Sequence, residues 1–353
     1  MYRRVRAVAI FLPHPRAMTS VLIVDDEPAV RDIMARWVKS LGLQSHTAAS
    51  ADEALATLRT QHYDLAVIDV MMPGHDGLWL ANEMHRKHPN TAVVIATASK
   101  ELVDAERPQP DFVDLLVKPF QRDRFALAVD RGRQWRKQAI EELRWHAQLS
   151  LETQDLAAGI CGEVRTYAAE GLDERDALRV IMSARIPDVV AHGERVARYA
   201  QSLARELGVD TSLGPLIEDA ALFHDIGKAA MPDALLTKPS PLTPGEVALM
   251  RRHVDVGAQI LEATGSLAAA APIVLATHEW FGGGGYPRKL SGDEIPLASR
   301  VIAVADAYDA MTQTRAYRKR IDSSDAITEL LRCGPVQFDP GIVAALFALL
   351  SRH

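Results

Sequence analysis

The chain has 353 residues, 48% apolar and 24% charged, with a formal net charge of -6. That length favours two domains over a single core, and the charge argues against a nucleic-acid duplex as partner, because phosphate binding needs a clustered basic surface. No apolar run approaches the length of a membrane span, and two distant cysteines, Cys161 and Cys333, argue against a disulfide framework and fit a reducing cytoplasm.

Residues 1–17 place Arg3, Arg4 and Arg6 before a short apolar run, but no small-residue cleavage site precedes Pro13. They are expected as a disordered extension, with Met18 as an alternative start. Val21-Leu22-Ile23-Val24 then reads as a strand buried on both faces, ending in Asp25 and Asp26. A helix is predicted from Pro28 to Leu41, closed by Gly42, and a second from about Ser50 to Thr60. Leu65 to Asp69, Ala92 to Thr97 and Leu115 to Val117 give three more apolar runs, the last followed by Lys118. Strands alternating with helices predict a doubly wound parallel α/β sheet, in which polar residues at the carboxyl ends of strands gather into one site. Three carboxylates there, Asp25, Asp26 and Asp69, repel one another unless a cation such as Mg²⁺ sits among them, and Lys118 and Thr97 suit an added phosphoryl group.

With Val67-Ile68-Asp69-Val70-Met71-Met72-Pro73-Gly74 and Lys118-Pro119-Phe120, residues 18–132 resemble a response-regulator receiver domain. The resemblance implies Asp69 as phosphoacceptor, a sensor histidine kinase as phosphodonor, Asp25 and Asp26 as Mg²⁺ partners, and Thr97 and Lys118 as the switch pair. Leu115 departs from the family's usual aromatic, and Arg107-Pro108-Gln109-Pro110 cannot form the regular helix expected there.

Residues 133–184 are read as a helical connector. The pattern from Gln121 to Leu149 is that of one continuous helix, able to space the domains, relay a movement or pair in a homodimer. Further helices are predicted at about Gly159 to Ala169 and Asp173 to Ser183.

In residues 185–353, His192 lies on an apolar helical stripe with Val189, Val196, Ala200 and Leu203, and Asp188 projects from the same face one turn earlier. His224 and Asp225 end the next apolar helix, His253 opens another, and His278 follows Ile273-Val274-Leu275. Asp306 interrupts an otherwise apolar helix, where a carboxylate is costly unless it is paired or binds metal. Gly282 to Gly285 form a loop whose backbone can approach a ligand closely.

His224-Asp225-Ile226-Gly227-Lys228, His278-Glu279 with Gly285-Tyr286-Pro287, Ala305-Asp306-Ala307-Tyr308-Asp309-Ala310 and Arg315-Ala316-Tyr317-Arg318 make this half resemble the HD-GYP domain, an all-helical bundle. The resemblance implies a cyclic di-GMP phosphodiesterase that uses two divalent metal ions, iron or manganese in preference to zinc. It further implies His192, His224, Asp225 and Asp306 as ligands of one ion, with Asp225 bridging to a second held by His253 and His278. Asp188 stands where some members bind a third ion. Lys228 is implied at the scissile phosphate, and Tyr286, Arg315 and Arg318 at the dinucleotide. Thr277 replaces the first of two adjacent histidines and Gly282 replaces an acid or amide. The alternative reading is therefore a weakened or inactive HD-GYP module that binds a nucleotide or a partner such as a GGDEF-family protein.

Overall fold

The computed structural model describes residues 20–98, 112–313 and 320–352. The extension 1–17, the Arg107 to Pro110 segment, Arg315 and Arg318 lie outside the described residues. The chain divides into two compact units between Ala147 and Gln148.

In the first unit five strands, β1 (Ser20–Val24), β2 (Gln44–Ala48), β3 (Leu65–Asp69), β4 (Ala92–Thr97) and β5 (Asp114–Val117), pair in parallel in the order β2-β1-β3-β4-β5. The three central strands are buried on both faces, which explains their unbroken apolar sequences. Helices α1 (Pro28–Ser40), α2 (Ala51–Leu58) and α3 (Gly77–Lys87) cover the sheet. The Ser50 side chain caps α2 by accepting from the Glu53 amide at 3.2 Å, and Gly42 leaves α1 through a positive φ of 74°. The register pairs Val24 with Ile68 and Asp69 with Ala96, so Asp25, Asp69, Thr97 and Lys118 reach the same sheet edge.

Helix α4 runs without interruption from Arg122 to Ala169. Phe125, Ala128 and Val129 near its start are buried against the sheet of the first unit. Ile160 and Val164, further along, belong to the core of the second unit, within the stretch read from sequence as connector.

The second unit is helical, with no strand among its described residues: α5 (Glu174–Arg185), α6 (Pro187–Glu206), α7 (Gly214–Leu222), α8 (Asp233–Leu236), α9 (Pro244–Arg251), α10 (His253–Glu262), α11 (Ala271–Leu275), α12 (Leu297–Thr312), α13 (Ser323–Gln337) and α14 (Pro340–Leu350). Its centre is made by α6, α7 and α12, where Val196, Ala200, Ala220, Ala221, Phe223, Val301, Ile302 and Ala305 are buried. The many alanines bring these helices close, which places their polar residues within reach of one another. Among the described residues no helix is long and apolar enough to cross a membrane.

Candidate metal centres

At the edge of the sheet, Asp25, Asp26 and Asp69 offer oxygens that lie within 4.8 Å of one another. Lys118 bridges two of them, with Nζ 2.7 Å from Asp25 Oδ2 and 3.1 Å from Asp69 Oδ1. Burial pushes the Asp69 carboxyl up, Lys118 pulls it down, and the charges of Asp25 and Asp26 lift it again, for a net rise. Thr97 is buried beside them at the end of β4. Gly77 is required here, since a Cβ on it would lie 1.9 Å from the Asp69 carbonyl oxygen.

In the helical unit two triads form. His192, His224 and Asp306 make one and Asp225, His253 and His278 the other, each with its donor atoms within 4.8 Å. Asp225 stands between them, its Oδ2 3.4 Å from His224 Nε2 and its Oδ1 3.3 Å from His253 Nε2. His192 Nε2 is 3.0 Å from Asp306 Oδ1, and the two Nε2 atoms of His253 and His278 are 3.1 Å apart.

Two glycines make these approaches possible. A Cβ on Gly193 would lie 2.4 Å from the Leu222 carbonyl oxygen, and one on Gly227 would lie 1.9 Å from that of His253. Without side chains there, α6 closes on the end of α7, joining His192 to His224, and the turn after Asp225 closes on the start of α10, joining Asp225 to His253. The imidazoles are also oriented. Nδ1 of His224 contacts the Ala221 carbonyl oxygen and that of His253 the Met250 carbonyl oxygen, each at 2.8 Å, turning both Nε2 atoms inward.

The donor set fits divalent cations on physical grounds. Buried and aimed into the cluster, His224 Nε2 and Asp225 Oδ1 have only the long contacts of 3.4 and 3.3 Å given above and complete no hydrogen bond, a costly arrangement that a cation would relieve. Burial works against charge on His224, yet Asp225 and Asp306 lift it to about 9, so a proton here offsets the carboxylates. Burial opposes the ionised form of Asp225 too, but Lys228 and His224 hold it well below the usual carboxylate range. Burial and then His253 push His278 down to about 4, leaving it a neutral donor.

Lys228 sits with Nζ 2.6 Å from Asp225 Oδ2. The Tyr286 ring stacks on His278, centroids 5.1 Å apart and planes 9° from parallel, and the Arg251 guanidinium lies 5.0 Å from the Tyr286 centroid. The glycine loop is pinned rather than loose. Gly282 N donates to the Val336 carbonyl oxygen at 2.9 Å and Phe281 N to that of Gln337 at 3.1 Å, while Glu279 accepts from the amides of Arg288 and Leu290. A Cβ at Gly282 would lie 2.9 Å from Val336 O, so glycine is what permits this contact with the end of α13.

Two expected positions stand apart. Asp188 is exposed in the first turn of α6 and belongs to neither triad. Thr277 is buried, and its hydroxyl donates back to the Val274 carbonyl oxygen at 2.9 Å. Sequence reasoning did not single out Gly193 or Glu279 for these roles. A glycine inside an apolar helical stripe was the available signal for the first.

Two family models match the chain: the response regulator receiver domain over residues 21–130 and the HD domain over residues 176–342. Over 342 residues it is 30% identical to a cyclic di-GMP phosphodiesterase of Thermotoga maritima, covering 94% of this chain and 90% of that one. It is 31% identical over 334 residues to the cyclic di-GMP phosphodiesterase response regulator RpfG of Xanthomonas campestris, covering 93% and 86% respectively. A shorter stretch of 167 residues is 36% identical to the 3'3'-cGAMP-specific phosphodiesterase 2 of Vibrio cholerae, covering 47% of this chain and 32% of that one.

Proposed function

We propose, from the premise that the chain belongs to the response regulators joining a receiver domain to an HD-domain phosphodiesterase, that its helical unit hydrolyses cyclic di-GMP between two metal ions under control of phosphorylation at Asp69. The observation that carries this reading is the pair of triads meeting at Asp225, where His224 Nε2 and Asp225 Oδ1 complete no hydrogen bond. His192, His224 and Asp306 would hold one ion and His253 and His278 the second, with Asp225 placed to serve both. Iron or manganese suits this mixed imidazole and carboxylate set. When bound, the cations supply Lewis acidity toward water and the phosphate oxygens.

The remaining residues bind and orient. Lys228 places a positive charge beside Asp225, where a phosphate oxygen gains negative charge in the transition state. Tyr286, stacked on His278 with the Arg251 guanidinium over its ring, puts an aromatic group and a cation beside the second triad, a pairing suited to a guanine base or a phosphate. Arg315 and Arg318 complete the dinucleotide contacts in this reading. At the sheet edge, a histidine kinase delivers the phosphoryl group to Asp69, Asp25 and Asp26 hold Mg²⁺, and Lys118 and Thr97 receive the phosphoryl oxygens.

A second reading is favoured by Thr277, whose hydroxyl is committed to Val274 and leaves the second triad one imidazole short of the family's usual set. In that reading the domain signals by binding nucleotide or protein without turnover. Purified full-length protein loaded with Mn²⁺ or Fe²⁺ decides between them. The first reading expects conversion of cyclic di-GMP to the linear dinucleotide or GMP, lost in His224→Ala and Asp225→Ala. Turnover of 3'3'-cGAMP alone reassigns the substrate. No turnover of either nucleotide with any metal supports the second reading.

A further inference from the structure

Asp309 is fully buried on α12, one turn beyond Asp306, yet belongs to neither triad. Both of its oxygens are engaged. Oδ2 lies 2.7 Å from His192 Nδ1 and accepts from Arg195 Nη2 at 3.0 Å, while Oδ1 accepts from Arg195 Nε at 2.7 Å. A carboxylate gripped by both nitrogens of a guanidinium fork is ionised and accepts only. Nδ1 of His192 must therefore carry a proton, which leaves Nε2, on the Asp306 side, as the one ring nitrogen that a cation could take. His224 and His253 are fixed differently, through the backbone carbonyls of Ala221 and Met250. Among the triad histidines of the described residues, His192 alone has a carboxylate behind its Nδ1. A negative acceptor makes an imidazole a better donor than a neutral carbonyl does.

We propose that Asp309, clamped by Arg195, is a positioning residue that makes His192 the strongest imidazole donor of its triad and so sets the affinity for the ion held by His192, His224 and Asp306. This rests on the metal-binding part of the function proposed above. Arg195 has two consequences in this arrangement. It cancels the buried charge of Asp309 and fixes the plane of the carboxylate, so that the His192 ring cannot turn.

The bland alternative is that Asp309 only balances Arg195 inside the bundle, and metal affinity separates the two roles. Full-length wild type, Asp309→Asn and Arg195→Met are titrated with Mn²⁺ by calorimetry, with the metal-free melting temperature measured in parallel. The receiver acids are identical in every protein and contribute equally. Asp309→Asn is expected to weaken one class of Mn²⁺ binding about 10- to 100-fold, and Arg195→Met to weaken the same class by less, with the other classes unchanged. A lowered metal-free melting temperature with wild-type Mn²⁺ affinity would assign Asp309 a purely structural role and overturn the proposal. Should Asp309→Asn fail to fold, Arg195→Met decides: weakened Mn²⁺ binding supports the clamp, and wild-type binding overturns it. Wild type that binds no Mn²⁺ at these triads would sink the functional reading itself, an outcome distinct from wild-type affinity in the variants.

Discussion

Gly193→Ala tests whether the close approach of α6 and α7 builds the first triad. In an unconstrained helix the change favours folding by about 1 kcal/mol, because alanine has less chain entropy to lose. Here the new methyl would lie 2.4 Å from the Leu222 carbonyl oxygen, about 1 Å short of ordinary van der Waals contact. The obstacle is backbone and cannot swing aside, so the cost falls toward the upper end of the roughly 1–3 kcal/mol typical of overpacking. Overpacking wins, and the net loss is about 2 kcal/mol. The functional effect is larger. His192 precedes Gly193 directly and His224 follows Leu222 by two residues, so separating the helices moves one ligand from the other. Metal–ligand distances tolerate only about 0.2 Å. Urea denaturation of the metal-free protein and a Mn²⁺ titration read the two consequences. A variant with wild-type midpoint and wild-type affinity would refute the reasoning, because the helices would then have room that the structure denies them.

Metal binding should depend on pH. His224 is lifted to about 9 by Asp225 and Asp306 against the effect of burial, so below that pH its Nε2 carries a proton that a cation must displace. Mn²⁺ affinity is expected to rise by about tenfold per pH unit between pH 6 and 8, and titrations giving a flat profile would contradict the coupling. Gly282→Asp, which restores a residue type common at this loop position, should destabilise the helical unit by about 1–3 kcal/mol through its clash with Val336. An unchanged denaturation midpoint would show that the loop is not held to α13. Asp69→Asn should abolish phosphoryl incorporation from acetyl phosphate in the presence of Mg²⁺, and persistent labelling would move the acceptor elsewhere.

Much of this was legible from residue types because burial makes polar groups conspicuous. The central strands announce themselves as β-branched runs, whereas β2, Gln44-Ser45-His46-Thr47-Ala48, is a polar edge strand with only Ala48 buried and carries no apolar signal. His192, His224, Asp225 and Asp306 stood out as ligand-type groups in apolar helices, and the structure brings all four together. Asp188 shares the face of His192 by spacing alone. Its place in the first turn leaves it in solvent, because a helical face is buried only where another element covers it. What a linear reading lacks is the partner across space. Asp309 is known to serve His192 only once α6 and α12 are packed, and Thr277 is known to face Val274 only once its hydroxyl direction is set. Gly193 and Gly227 matter for atoms that their missing side chains would strike, which no periodicity reveals.

The most direct test is an anomalous difference map from crystals of the full chain grown with Mn²⁺. The account predicts two strong peaks in the helical unit, one ringed by His192, His224 and Asp306, the other by His253 and His278, with Asp225 touching both. A single peak, or none at these side chains, would contradict it.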